Sequence, residues 1–161
     1  MTPFLYFAYG SNLDAARLHR SCPSARPQGA ARLADHRLRF PLASTRWGGG
    51  VADVVPAPGD EVWGALWLID AVDAAALDAQ EGVHATPPRY RREPVEIESA
   101  ASSPAGERVR CLVYRVHDGV ASTSELAPSA AYRDAMLRGA RAFALPAAYV
   151  ARLAALPVAE V

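Results

Sequence analysis

The chain opens on an aromatic-rich apolar run, Pro3 to Tyr9, which predicts a strand. Gly10, Ser11 and Asn12 break it as a turn. Leu13 to Arg20 then takes helical spacing, with Asn12 or Ser11 as its cap and Cys22-Pro23 as its end. Ala30 to Leu42 alternates loosely and predicts one or two strands. Trp47-Gly48-Gly49-Gly50 reads as a flexible approach to a strand over Val51 to Val55. Pro56-Ala57-Pro58-Gly59-Asp60 carries a strong turn signal. Glu61 to Ile69, apolar and holding two Trp, reads as a buried central strand. Asp70 to Gln80 has helical spacing, with Val72, Ala76 and Leu77 on one buried face, Asp70 or Asp73 at its start and Gly82 past its end. Tyr90 to Glu98 predicts a strand, Ser99 to Gly106 a loop, and Val109 to Val116 a strand with Leu112, Tyr114 and Val116 on one face. Ser129 opens a helix that runs to Ala142 with Tyr132, Met136 and Leu137 among its apolar positions, and Pro146 restarts one to about Leu156. Strands and helices do not alternate regularly. That argues against a doubly wound parallel sheet and for an α+β domain with a mixed or barrel-like sheet.

Length and composition narrow the picture further. The 161 residues suffice for one domain, expected to span 1–161. Apolar residues make up 51% and charged ones 21%, the balance of a folded globule. All 17 basic residues are Arg, which reads with the abundant Ala, Pro and Gly as a coding bias; 17 acidic residues cancel them. A broad nucleic-acid footprint is therefore not expected. No apolar run approaches the roughly 20 residues of a membrane span, and the N-terminus has no signal-peptide pattern, so no membrane contact and a cytoplasmic location are expected. Cys22 and Cys111 stand far apart and outside any CxxC, as buried thiols would. The four His show no ligand spacing, so no metal is expected.

Two places hold candidate chemistry. At Gly10-Ser11-Asn12 a strand turns into a helix start, where unpaired N–H groups and the helix dipole favour a carboxylate or phosphate. The same residues equally describe a plain capped corner. Neither a Walker lysine nor GxGxxG is present, which disfavours a nucleotide. Glu81 is the second place. It sits in the last turn of a predicted helix, directly before Gly82, where the dipole favours a cation. That field, with burial against the Trp-bearing strand, would raise its pKa into the range of a general acid–base group; a solvated Glu at a frayed helix end is the alternative. Arg89, Arg91 and Arg92 form either a solvated strand face or a contact for an acidic substrate. On spacing alone Tyr90, Tyr114 and Tyr132 are packing residues, and no Ser-His-Asp order stands out.

Tyr6-Phe7-Ala8-Tyr9-Gly10-Ser11-Asn12-Leu13 resembles the YGSN signature of the gamma-glutamylcyclotransferase superfamily. Pro58 to Trp67, Leu77 to Val83, Ser129 to Tyr132, Gly139-Ala140 and Leu145-Pro146 continue the resemblance in order along nearly the whole chain. It implies a barrel-like mixed β-sheet flanked by helices, and a cofactor-independent enzyme. Such an enzyme converts gamma-glutamyl amino acids or amines to 5-oxoproline and the free amine. Glutathione as substrate, or ligand binding without turnover, are the alternatives. The resemblance further implies Glu81 as the catalytic acid/base and Tyr6, Phe7, Ala8, Tyr9, Gly10, Ser11 and Asn12 as the glutamyl-binding segment. Tyr90, Tyr114 and Tyr132 would line the cavity, and a homodimer would be compatible. The Glu81–Tyr90 stretch, with Thr86-Pro87-Pro88-Arg89, is longer than in typical members.

Overall fold

The computed structural model describes residues 2–100 and 106–160. They form five strands and four α-helices: β1 (Phe4–Ala8), α1 (Ala15–Ser21), β2 (Arg26–Ser44), β3 (Gly49–Ile69), α2 (Ala74–Gln80), β4 (Tyr90–Ser99), β5 (Glu107–Val116), α3 (Ala130–Ala142) and α4 (Ala147–Ala154). The strands close into a barrel in the order β1-β3-β2-β4-β5. Neighbours are antiparallel except β5 and β1, which close the barrel in parallel at Tyr6 and Leu112. This is the α+β, mixed, barrel-like architecture expected. Phe7, Leu33, Ile69 and Met136 are almost wholly buried in its core, each contributing about 1.5–3 kcal/mol. Both cysteines are buried and unbridged, and burial pushes each thiol up to about 12.

Several local expectations are corrected. The Pro56–Asp60 turn does not divide two strands, because β3 runs unbroken through it against the same partner, β2. Ala57 to Asp60 bulge out opposite Asp35 alone. The left-handed Gly59 (φ 84°) receives the bend, and its N–H donates to Asp35 Oδ1 at 2.9 Å. The turn chemistry is present, absorbed into a bulge. Trp47 to Gly50 is not a loose approach. It closes the β2–β3 hairpin, with Gly50 N–H bonded to Ala127 O at 2.9 Å and no room for a side chain at Gly49.

Val72 and Ala76 do not share a buried face with Leu77. A 3-10 turn over Ala71–Asp73 changes the angular phase before α2, leaving Val72 75% exposed and Ala76 exposed. Nor do Asp70 and Asp73 cap by their side chains. The Asp73 carboxylate accepts instead from the Ser24 N–H and hydroxyl. Likewise α1 starts at Ala15 after Asp14, so neither Ser11 nor Asn12 caps it. Of the loop expected over Ser99 to Gly106, residues 101–105 lie outside the described residues. Ser129 does cap α3, accepting from Tyr132 N–H at 3.1 Å. No helix among the described residues is long and apolar enough to cross a membrane.

Candidate active site

A cavity of about 380 Å³ opens at one end of the barrel. The residues following β1, the start of β4, α2 and α3 converge there. What brings α3 in is a missing side chain. A Cβ on Gly139 would lie 2.2 Å from the Leu13 backbone, so only glycine lets the helix rest on the Ser11–Leu13 turn. Two helical turns earlier, Tyr132 then reaches across Gly10. Its hydroxyl lies 2.6 Å from where a Gly10 Cβ would stand and accepts the Ala52 N–H at 3.1 Å. The amides of Gly10, Ser11 and Asn12 donate to no carbonyl or carboxylate among the described residues. Ser11 N–H is directed at the Tyr132 hydroxyl, and because α1 begins only at Ala15 the turn lies ahead of the helix start on which the anion-site expectation relied.

Glu81 stands at the end of α2, where left-handed Gly82 (φ 67°) stops the helix. Its Oε1 accepts from Asn12 Nδ2 at 2.9 Å, and Asn12 Oδ1 accepts from Gln80 Nε2 at 2.8 Å. The same Asn12 nitrogen also reaches the Tyr6 hydroxyl at 3.0 Å. Asn12 is therefore buried because both ends of its amide are partnered, and it ties β1 to α2. Although Glu81 opens onto the cavity, the surrounding protein displaces enough water to push its pKa up to about 7. Burial is the largest cause; Arg17, Asn12, Gln80 and Arg89 act against it. The expected burial against Trp63 and Trp67 is not what does this. Trp67 packs on His19 and Phe143, and the indole at the cavity is Trp47, edge-on to Tyr132 at 5.1 Å.

Tyrosines complete the wall. Tyr9 donates to Tyr114 O, Tyr90 to Ala52 O at 2.6 Å, and Tyr114 to Asp78 Oδ1 at 2.6 Å, while Tyr6 meets Tyr114 edge-on at 5.6 Å. Burial raises the pKa of each, and that of Tyr132 to about 12, so all stay neutral through the physiological range. The site is thus one carboxyl with its pKa raised to about 7, beside the Gly10 turn, in a wall of neutral tyrosines bordered by Arg17, Arg46 and Arg89. That combination suits a proton transfer coupled to a developing oxyanion.

The AIG2-like family model matches residues 61–153, more than half of the chain. A Bos taurus protein named gamma-glutamylcyclotransferase is 38% identical over 154 residues, covering 93% of this chain and 77% of the relative. Its Mus musculus counterpart is 38% identical over 157 residues, covering 95% and 78%. A solved structure named gamma-glutamyl cyclotransferase superposes with a TM-score of 0.88 at 33% identity, over 99% of this chain and 90% of that one. The chain belongs to the gamma-glutamylcyclotransferase family.

Of the residues that the family resemblance singled out, Tyr6, Tyr9, Gly10, Ser11, Asn12, Glu81, Tyr90, Tyr114 and Tyr132 all border the cavity. Phe7 and Ala8 do not: both are wholly buried in the core, with the Phe7 ring against Gly64. The arginine cluster divides. Arg89 borders the cavity, whereas Arg91 pairs with Glu93 and Asp118, and Arg92 with Asp78. Sequence reasoning missed Arg17, whose guanidinium lies 5.1 Å from the Trp47 ring centre, and Gln80. A lone Trp in a glycine-rich turn was the one available signal, since such a side chain rarely stays without an apolar or cationic neighbour.

Proposed function

We propose that this family member converts gamma-glutamyl amino acids or amines to 5-oxoproline and the free amine by intramolecular cyclisation. The observation that carries this reading is Glu81, with its pKa near 7, held by Asn12 against the Gly10–Asn12 turn that lines the same cavity.

The substrate supplies its own nucleophile, so the protein needs no catalytic Ser or Cys. Glu81, ionised, takes a proton from the α-ammonium. The freed amine attacks the γ-carbonyl carbon, closing a five-membered ring, and the carbonyl oxygen becomes an oxyanion. Amides of the Gly10–Asn12 turn receive it, each such donor being worth roughly 3–4 kcal/mol. The bond to the leaving nitrogen then breaks as Glu81 returns its proton to that amine, and the second proton still on the attacking nitrogen passes to the freed amine, which leaves as an ammonium. Proton count and charge close over the cycle, and no cofactor enters it. The wall of Tyr6, Tyr90, Tyr114 and Tyr132 holds the chain folded; well-aligned intramolecular reactions reach effective molarities on the order of 10⁵–10⁸ M.

Incubation of the purified protein with gamma-glutamyl-alanine, gamma-glutamyl amines and glutathione, followed by chromatography for 5-oxoproline, tests this. Product from the first two classes is expected. No product from any of them overturns the enzymatic reading, and product from glutathione alone overturns the broader substrate class in favour of the narrower.

A further inference from the structure

The cavity carries an unbalanced charge. Arg17, Arg46 and Arg89 border it, and Glu81 is the one acid among the described residues that does. Of the fourteen arginines elsewhere on the molecule, ten lie within ion-pair distance of a carboxylate, and Arg20, Arg110, Arg133 and Arg141 are the others. Among the described residues, none of the three at the cavity lies within that distance. Their placement also differs. Arg17 lies inside, over Trp47, with its Nε buried and without a partner, and it faces Glu81. Arg46 sits in the exposed hairpin turn beside Trp47, close enough to Arg17 to disfavour that residue's charge.

Arg89 is held across the mouth. Its side chain lies over Gly82, where a Cβ would come within 3.0 Å of Arg89 Cδ, and its N–H bonds to Gly82 O at 3.0 Å. At the far end its Nη2 donates to Ala43 O at 3.1 Å, next to the end of β2. One carbonyl occupies only part of a guanidinium's five donors, and the fork that remains suits a carboxylate. Uncompensated like charges gathered at a cleft mouth favour an anionic occupant.

With the γ-carbonyl between Glu81 and the Gly10 turn, a leaving group that runs out to the rim meets Arg46 and Arg89. We infer that Arg46 and Arg89 select an acidic leaving group, so that the preferred substrates are gamma-glutamyl derivatives of a dicarboxylic amino acid, gamma-glutamyl-glutamate or gamma-glutamyl-aspartate. This rests on the cyclotransferase reading above and names its substrate class. Arg17, deeper and beside Glu81, serves the glutamyl end in either case.

The test compares gamma-glutamyl-glutamate with gamma-glutamyl-glutamine, which differ by one charge at nearly equal shape. The expected kcat/KM is about tenfold higher for the glutamate compound, carried by KM, as one charge-assisted contact implies. The preference falls as salt is raised. Replacing both groups, Arg46→Gln with Arg89→Gln, brings the ratio of the two substrates close to one, while Arg89→Lys keeps part of it. Equal kcat/KM in the unmodified protein, or an undiminished ratio in the double variant, overturns the inference and leaves the cyclotransferase reading standing. No 5-oxoproline from either compound overturns that reading and the inference with it.

Discussion

Two acids in this molecule, Asp53 buried and Glu81 half-buried at the cavity, have opposite surroundings. Asp53 on β3 is 1% exposed, and its Oδ2 takes both the Nε and Nη2 of Arg39 at 2.9 Å. Its Oδ1 accepts Val116 N–H at 3.0 Å, so one carboxylate ties β3 to β2 and β5. Glu81 has a neutral amide, Asn12, on one oxygen, and no guanidinium within ion-pair distance among the described residues. Burial alone therefore does not make a carboxyl reactive. An acid given a full set of charged and backbone donors becomes a brace. An acid half-buried with too few is left with a pKa near neutrality and capacity to move a proton.

The largest expected effects break this comparison at its two ends. Glu81→Gln keeps the Asn12 bond, because a Gln oxygen also accepts. It should leave cooperative unfolding intact while 5-oxoproline turnover falls by about 10²–10⁴. At the brace, Asp53→Ala leaves Arg39 without its partner and should cost about 3–5 kcal/mol in urea unfolding. Comparable turnover loss without destabilisation there would erase the distinction.

A smaller effect sharpens it. The folded pKa of Glu81 lies above its unfolded value, 4.5 against about 7, so the folded state holds the proton more tightly. Its contribution to stability is therefore fully present below about pH 4.5 and is lost as pH rises through about 7. Relative to the parent, Glu81→Gln should be stabilised by roughly 1–3 kcal/mol at pH 8 and little changed at pH 4, by denaturant titration at both. Smaller again is Gly10→Ala. The new methyl displaces the Tyr132 hydroxyl and orphans the Ala52 N–H, at a cost of about 1–2 kcal/mol, and turnover should drop at least several-fold in the same preparation.

Some of this was legible in residues alone, and the reasons are local. The irregular strand and helix order specifies the α+β class, and Gly82 after Glu81 marks a carboxyl at the wrong end of a helix. Where reading failed, a tertiary partner overrode a local signal. Pro58-Gly59 made a bulge because β2 continues alongside with Asp35 to receive it. Asn12, a good cap by type, was drawn inward by Glu81, Gln80 and Tyr6, which no spacing in the chain reveals. Arg17 and Trp47 become neighbours only when the β2–β3 hairpin folds over α1. Phe7 and Ala8, inside the signature segment, turn out to support the barrel and not the cavity.

The central claim is that Glu81 carries the proton. Its most direct test is kcat/KM for gamma-glutamyl-alanine against pH, in the unmodified protein and in Glu81→Gln. The base must be ionised, so the unmodified rate should rise through an apparent pKa near 7, and that inflection should be missing from the much slower variant. The same inflection at the same pH in both proteins would contradict the claim.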